Sequence, residues 1–215
     1  MISPAKSTVR GERARVPHRR RPRVTNDALH VTMHLIDGLP SMRSPRAHRR
    51  IAGAIGKCQE RFGCRVVEYS VLSNHLHLIV EAENEAKLAQ AMKGLKVRIA
   101  KALNGLWGRA GSIFRERFFA RVLTGLQEVR RAVRYVLLNA RRHGVSIPED
   151  TPDPCSSGPW YPHWLGRWKP CGEGSPVVRG RTLYLDGIHP LRLDLNEVPG
   201  SWRAELAACE LDLAT

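Results

Sequence analysis

The sequence predicts an α+β protein built on a ferredoxin-like split β-α-β antiparallel sheet with helices on one face, followed by an irregular C-terminal appendage. Three observations carry this reading. Segments of apolar–polar alternation are interleaved with segments of three- and four-residue apolar spacing, in the order strand, helix, strand, strand, helix, strand, helix. One pair of strands is joined only by Ser73-Asn74, which makes a hairpin, while crossover helices separate the others. Beyond about residue 148 both periodicities stop, and prolines crowd around tryptophans.

Each element has a local reason. From Ala28, Leu29, Val31, Met33 and Leu35 alternate with His30, Thr32 and His34, the pattern of a half-buried strand. Gly38 to Pro40 form its exit turn. Ser44-Pro45 supplies an N-cap and a proline at the first helical position. The helix that follows carries Ile51 and Ile55, runs through Cys58 to Phe62 and is expected to stop near Gly63. A strand over Arg65 to Leu72 then turns into a third strand over 75–82.

A long amphipathic helix is expected over 85–104, with Leu88, Met92, Leu95, Ile99 and Leu103 on one side. Its other side carries Lys87, Lys93, Lys96, Arg98 and Lys101. The link Gly105-Leu106-Trp107-Gly108 leads to an extended piece, Ile113 to Leu123. Thr124-Gly125-Leu126-Gln127 reads as a capping box that opens a last helix. Val129, Val133, Val136, Leu137 and Ala140 form its apolar stripe, and Gly144 is its stop. Three segments result: a basic arm over 1–27, a catalytic-domain-sized core over 28–147, and a Pro/Trp-rich extension over 148–215 with a short helix expected near 201–213.

The chain of 215 residues has 35 Lys and Arg against 20 Asp and Glu, a formal net charge of +15. Such an excess repels itself in a compact fold and answers an anionic partner. Arginine dominates, and its fork matches phosphate geometry. The arm concentrates the charge in Arg19, Arg20, Arg21 and Arg23, which can grip a nucleic-acid backbone. Lys93, Lys96, Arg131, Arg134 and Arg142 are further candidates, although charged helix faces are often merely solvated. Trp107, Phe118 and Phe119 could stack bases, with core burial as the competing reading.

Five cysteines include no Cys-x-x-Cys pair, which argues against a disulfide framework or zinc ribbon; Cys58 and Cys64 read as reduced, core-lining thiols. No secretory signal or membrane-length apolar run is visible, so the expected compartment is the cytoplasm, at the nucleoid. No Gly-rich phosphate loop is present, so no nucleotide cofactor is expected.

The chemistry-bearing residues fall in two places. In Asn74-His75-Leu76-His77-Leu78, both imidazoles project from one face of a strand, able to converge on an ion, while the leucines project from the other. A histidine pair on a sheet face is also compatible with a purely structural role. In Tyr135-Val136-Leu137-Leu138-Asn139, the tyrosine and asparagine are one turn apart on a helix, largely outside the apolar stripe and flanked by Arg130, Arg131, Arg134, Arg141 and Arg142. Asn139 can supply the third ligand that the histidine pair lacks. A surface tyrosine with a helix-terminal asparagine is the alternative.

Those two motifs together resemble the single-tyrosine HUH transposases of the IS200-like superfamily, and in particular the REP-associated tyrosine transposases. The similarity spans about residues 28–144, including Phe114-Arg115-Glu116-Arg117-Phe118. It implies a ferredoxin-like sheet, His75, His77 and Asn139 as ligands of a divalent metal, and Tyr135 as the nucleophile. Ala140 stands where many relatives have proline. The implied reaction is metal-dependent cleavage and strand transfer of single-stranded or hairpin DNA through a 5′-phosphotyrosine. A phenol ionises near pH 10 and needs such help at neutral pH. Two imidazoles and an amide oxygen suit several ions, and phosphate chemistry together with the resemblance favours Mg²⁺ or Mn²⁺. The chain is expected to act as a monomer or homodimer. Three rivals stay open: a domesticated hairpin nickase without transposition, a non-catalytic DNA-binding regulator, and a zinc-dependent hydrolase with water as the nucleophile.

Overall fold

Alternation along the first strand decides the architecture. A computed structural model of the chain describes residues 23–59, 61–115, 117–171, 177–178 and 192–195. Strand β1 (Thr25–His34) lies inside a four-stranded antiparallel sheet with β2 (Cys64–Val71), β3 (His75–Asn84) and β4 (Phe119–Val122), in the spatial order β2-β3-β1-β4. Helix α1 (Pro45–Gly56) connects β1 to β2, and α2 (Glu85–Trp107) connects β3 to β4. This is the expected ferredoxin-like order. A third helix, α3 (Leu126–Arg142), follows β4.

Leu29, Val31, Met33 and Leu35 of the β1 segment, with Leu76, Leu78 and Val80 of β3, pack against Ile51 and Ile55 of α1 and Leu88, Met92, Leu95 and Ile99 of α2. A bulge at Val67 shifts the β2 register, so Cys64 and Val66 before it and Tyr69 and Val71 after it all reach this core. Trp107 and Phe118 pack at its margin.

The expectation of helices on one face needs one correction. Helices α1 and α2 share a face, but α3 covers the opposite one, where Val129, Val133, Val136 and Leu137 pack with Ala28, Val67 and Ile79. The cause lies in the strands: Ala28, Val67 and Ile79 leave apolar surface on the second face, and the α3 stripe buries it.

Local departures have equally local reasons. Helix α1 starts as expected, with the Ser44 hydroxyl accepting from the Ala47 amide at 3.2 Å, but ends at Gly56 rather than near Gly63. Phe62 then adopts a left-handed φ of 61° in the 3-10 turn Arg61–Gly63. Helix α2 runs through Gly105 and Leu106 to Trp107, and the left-handed residue that stops it is Gly108 at φ 63°. Only Phe119–Val122 of the extended piece pairs as a strand, with an isolated bridge from Phe114 to Leu35. The expected capping box does not form: the N-cap of α3 is Gly125, with no side-chain cap, and the Glu128 carboxylate instead accepts from the Thr124 amide at 2.8 Å and the Thr124 hydroxyl at 3.0 Å, just before the helix. Gly144, at φ 71°, follows α3 as expected.

The C-terminal extension packs aromatics on the α3 side, burying Tyr161 and Trp164. It also covers the β2 edge, where the Val71 amide donates to the Cys155 carbonyl (2.9 Å) and the Ser157 amide to the Tyr69 carbonyl (3.0 Å). Arg43 grips Asp153 with two hydrogen bonds, at 2.9 and 2.7 Å, which pins this segment to the loop before α1. Beyond it, β5 (Trp164–Leu165) and β6 (Leu193–Asp194) form a short parallel pair. Cys58, Cys64, Cys155 and Cys171 are thiols. Most of the basic arm and the helix expected near 201–213 lie outside the described residues. No helix among the described residues is long and apolar enough to cross a membrane.

Candidate functional site

The α3 face of the sheet is apolar at one end and polar at the other. Strand register places Thr32 opposite His77 and His34 opposite His75, and on the next strand Ser70 opposite His77. A row of Thr32, His77 and Ser70 therefore crosses three strands, with His30, His34 and His75 beside it. Helix α3 lies over this face. The Tyr135 ring meets His77 and His30 edge-on, with centroids 5.2 and 5.5 Å away. Two turns on, His143 meets His75 at 5.3 Å. Asn139 sits between them on the helix, one turn from each, and is fully buried.

The sequence motifs thus reach one face of one sheet. Tyr135 is 9 % exposed rather than a surface residue, because the polar end of the sheet lets polar helix residues pack inward there. The Arg142 guanidinium lies 5.4 Å from the Tyr135 ring centroid, a cation–π contact at the edge of the site. The rings of His75 and His77 are perpendicular, with centroids 4.9 Å apart.

Hydrogen bonding sorts the ring nitrogens. His75 Nδ1 lies 2.8 Å from Asn74 Oδ1. His77 Nδ1 lies 3.0 Å from His30 Nε2 and 3.1 Å from Thr32 Oγ1. In contrast, His77 Nε2 and both amide atoms of Asn139 are buried without a hydrogen-bond partner, as is the Ser70 hydroxyl. Leaving such atoms unsatisfied costs about 1–3 kcal/mol each, so their clustering calls for an explanation. An ion ligated by imidazole nitrogen and amide oxygen is a chemically suitable one. Among the described residues, no group of three or more His, Cys, Asp or Glu side chains is arranged to hold a metal.

The electrostatics favour neutral imidazoles. Burial pushes His77 well below the usual imidazole value, and the neighbouring His30 and His75 add to the effect. Burial likewise lowers His75 to about 4, with His34 and His143 contributing, and His30 to about 4, with Arg121 contributing. Neutral rings keep the lone pairs that a metal requires.

Sequence alone does not single out His30, Thr32, His34 and His143 as site residues. His30 and His34 do stand at alternate positions of β1, on the face away from the apolar side chains. The missing information is the β1–β3 register, which sets Thr32 opposite His77 and His34 opposite His75 and which no local pattern encodes. The basic candidates divide. Arg131, Arg134 and Arg142 share α3 with Tyr135. Lys93 and Lys96 lie on α2, across the sheet, with the Lys96 ammonium 5.1 Å from the Phe114 ring. Arg23 is exposed just before β1, whereas Arg19, Arg20 and Arg21 lie outside the described residues.

Comparison with known proteins bears on the fold and the family. A solved REP-associated tyrosine transposase bound to a REP hairpin has a similar fold, with a TM-score of 0.52 and 17 % identity over 61 % of this chain and 76 % of the other. No curated protein matches the chain. The family described as IS200-like transposase matches residues 30–137, from the first site histidine through the tyrosine segment of α3. The chain belongs to the IS200-like transposases.

Proposed function

We propose that this chain cleaves and rejoins single-stranded DNA at hairpins, with Tyr135 as nucleophile and with His75, His77 and Asn139 holding a divalent cation, Mg²⁺ or Mn²⁺. The observation that carries the reading is the set of buried, partnerless donor atoms, His77 Nε2 and the Asn139 amide, next to the Tyr135 ring. When bound, such a cation polarises the scissile phosphate and offsets the charge that builds up in the transition state.

The protein's own groups supply the rest. The Tyr135 oxygen attacks phosphorus in line, forming a 5′-phosphotyrosine and releasing the 3′ oxygen, which leaves as a hydroxyl. The phosphodiester free energy stays in the new bond, so a 3′-hydroxyl can reverse the step and join strands without a nucleotide cofactor. Packing of Tyr135 between His77 and Arg142 holds the ring in place. The Arg131, Arg134 and Arg142 side chains of the same helix supply positive charge for the DNA backbone. A single strand, unlike a duplex, bends easily enough to bring one phosphate to a nucleophile packed this closely against a sheet. The hairpin preference rests on the DNA in the similar solved complex.

A labelled hairpin with a single-stranded flank tests the reading. In Mn²⁺ the full chain should form a covalent adduct, and Tyr135→Phe should bind the same DNA without forming it. His75→Ala and His77→Ala should likewise keep binding and lose cleavage. Cleavage that persists in Tyr135→Phe points to water as the nucleophile and sinks the proposal. Binding with no adduct on any hairpin leaves a DNA-binding regulator instead.

A further inference from the structure

We infer that His30 and Thr32 of β1 are positioning residues that set the tautomer of His77, holding its proton on Nδ1 so that Nε2 presents a lone pair to the cation. The inference rests on the reading of His77 as a metal ligand. A neutral imidazole carries one proton, and which nitrogen holds it is decided by the partners of both. In this site the partners are all on one side. His77 Nδ1 has two, His30 Nε2 at 3.0 Å and Thr32 Oγ1 at 3.1 Å, while buried Nε2 has none. A proton on Nε2 would be a buried donor with nothing to bond. A proton on Nδ1 has two acceptors within reach.

The geometry is fixed by the strands. Thr32 stands directly opposite His77 in the β1–β3 register, and His30 is two residues along on the same face. His30 itself lies between His77, at 5.0 Å, and Tyr135, at 5.5 Å, and these two rings restrict its own. Both acceptors are uncharged: a hydroxyl and an imidazole, not the carboxylate that often backs a metal-bound histidine. His77 is therefore oriented, while its Nε2 is made less basic than a carboxylate partner would make it.

Two acceptors also mean redundancy, and this shapes the test. On the full chain without DNA, Mn²⁺ affinity is measured by calorimetry or by the spin-resonance signal of unbound Mn²⁺, and the His77 tautomer by side-chain ¹⁵N shifts. Thr32→Val or His30→Phe alone should weaken Mn²⁺ binding only several-fold. The double variant should lose about 10- to 100-fold, the usual scale for removing the groups behind a ligand. In the metal-free chain the His77 proton should sit on Nδ1 in the wild type and redistribute toward Nε2 in the double variant. Combining Thr32→Val with His30→Gln, which restores an acceptor oxygen, should recover much of both signals. A change in thermal midpoint alone moves neither the tautomer nor the recovery. A wild type with the proton on Nε2, or a double variant that binds Mn²⁺ like the wild type, overturns the inference while leaving the proposed function intact. A wild type that takes up no Mn²⁺ overturns both.

Discussion

The two faces of the sheet use the same strands for opposite ends. Residues 76, 78 and 80 of β3 point into the core beneath α1 and α2, where Leu76, Leu78 and Val80 are fully buried. Residues 75 and 77, interleaved with them, point under α3 into a cluster of imidazoles with partnerless polar atoms. One face accumulates burial free energy, and the other leaves polar atoms buried without a hydrogen-bond partner. Active sites commonly carry such a local cost, and strand alternation places His77 on this face, opposite the leucines that flank it.

The largest break in the comparison comes from substituting neighbours. Leu78→Ala should destabilise the chain by about 2–5 kcal/mol, as large-to-small changes in a packed core do. His77→Ala, one residue away, should cost less in a urea titration of the metal-free protein, because it also removes an unsatisfied buried nitrogen. It should nevertheless abolish Mn²⁺ uptake. Equal destabilisation by both would mean that the α3 face is packed as a core.

Acid should expose the difference next. His30 and His75 have folded values lowered to about 4 from an ordinary 6.5. Between those values the unfolded chain binds more protons than the folded one, so stability rises with pH across that window. The contribution is complete above about pH 6.5 and is lost as pH falls toward 4, by about 3 kcal/mol for each ring. Urea midpoints of the metal-free chain at pH 7 and pH 4.5 measure it. His30→Gln should flatten the dependence, and a flat wild-type profile would mean that the rings are more hydrated than their packing implies.

A smaller effect, of opposite sign, belongs to Asn139. Both its amide atoms are buried and unsatisfied, so Asn139→Leu should stabilise the metal-free protein by about 1–2 kcal/mol. Adding Mn²⁺ should raise the melting temperature of the wild type and leave that of the variant unchanged. A destabilised variant would show that the amide has partners in solution and is not waiting for a ligand.

What the sequence made legible follows the same divide. Strand alternation in β1, the Ser44-Pro45 helix start, the Gly144 stop and the spacing of His75, His77, Tyr135 and Asn139 are all local patterns, and each reads directly from residue order. Illegible were features set by contacts distant in sequence. Helix α2 continues through Gly105 to Trp107 because Leu106 and Trp107 find the α1–α2 core, which outweighs the weak helix preference of glycine. The side of the sheet taken by α3 depends on Ala28, Val67 and Ile79 jointly leaving a surface to bury. The role of His30 depends on the β1–β3 register that brings it beside His77. The β2-edge cover by residues 153–157 required knowing where Asp153 meets Arg43.

The smallest effect concerns the charges, and it separates the faces by function rather than stability. Removing one cation that pairs with a phosphate should reduce the salt dependence of DNA binding by about one unit of log–log slope. Arg131 and Arg134 lie on the helix that carries Tyr135, so neutralising either to Gln should shallow the slope by roughly that amount. Lys93 is exposed on α2, across the sheet from the imidazoles, so Lys93→Gln should leave the slope unchanged while altering net charge equally. Affinities measured from about 50 to 200 mM salt resolve a difference of this size. If Lys93→Gln and Arg131→Gln changed the slope equally, the DNA would respond to the overall charge of the chain, or would wrap onto the α2 face as well. The division of labour between the two faces would then hold for the chemistry but not for the grip.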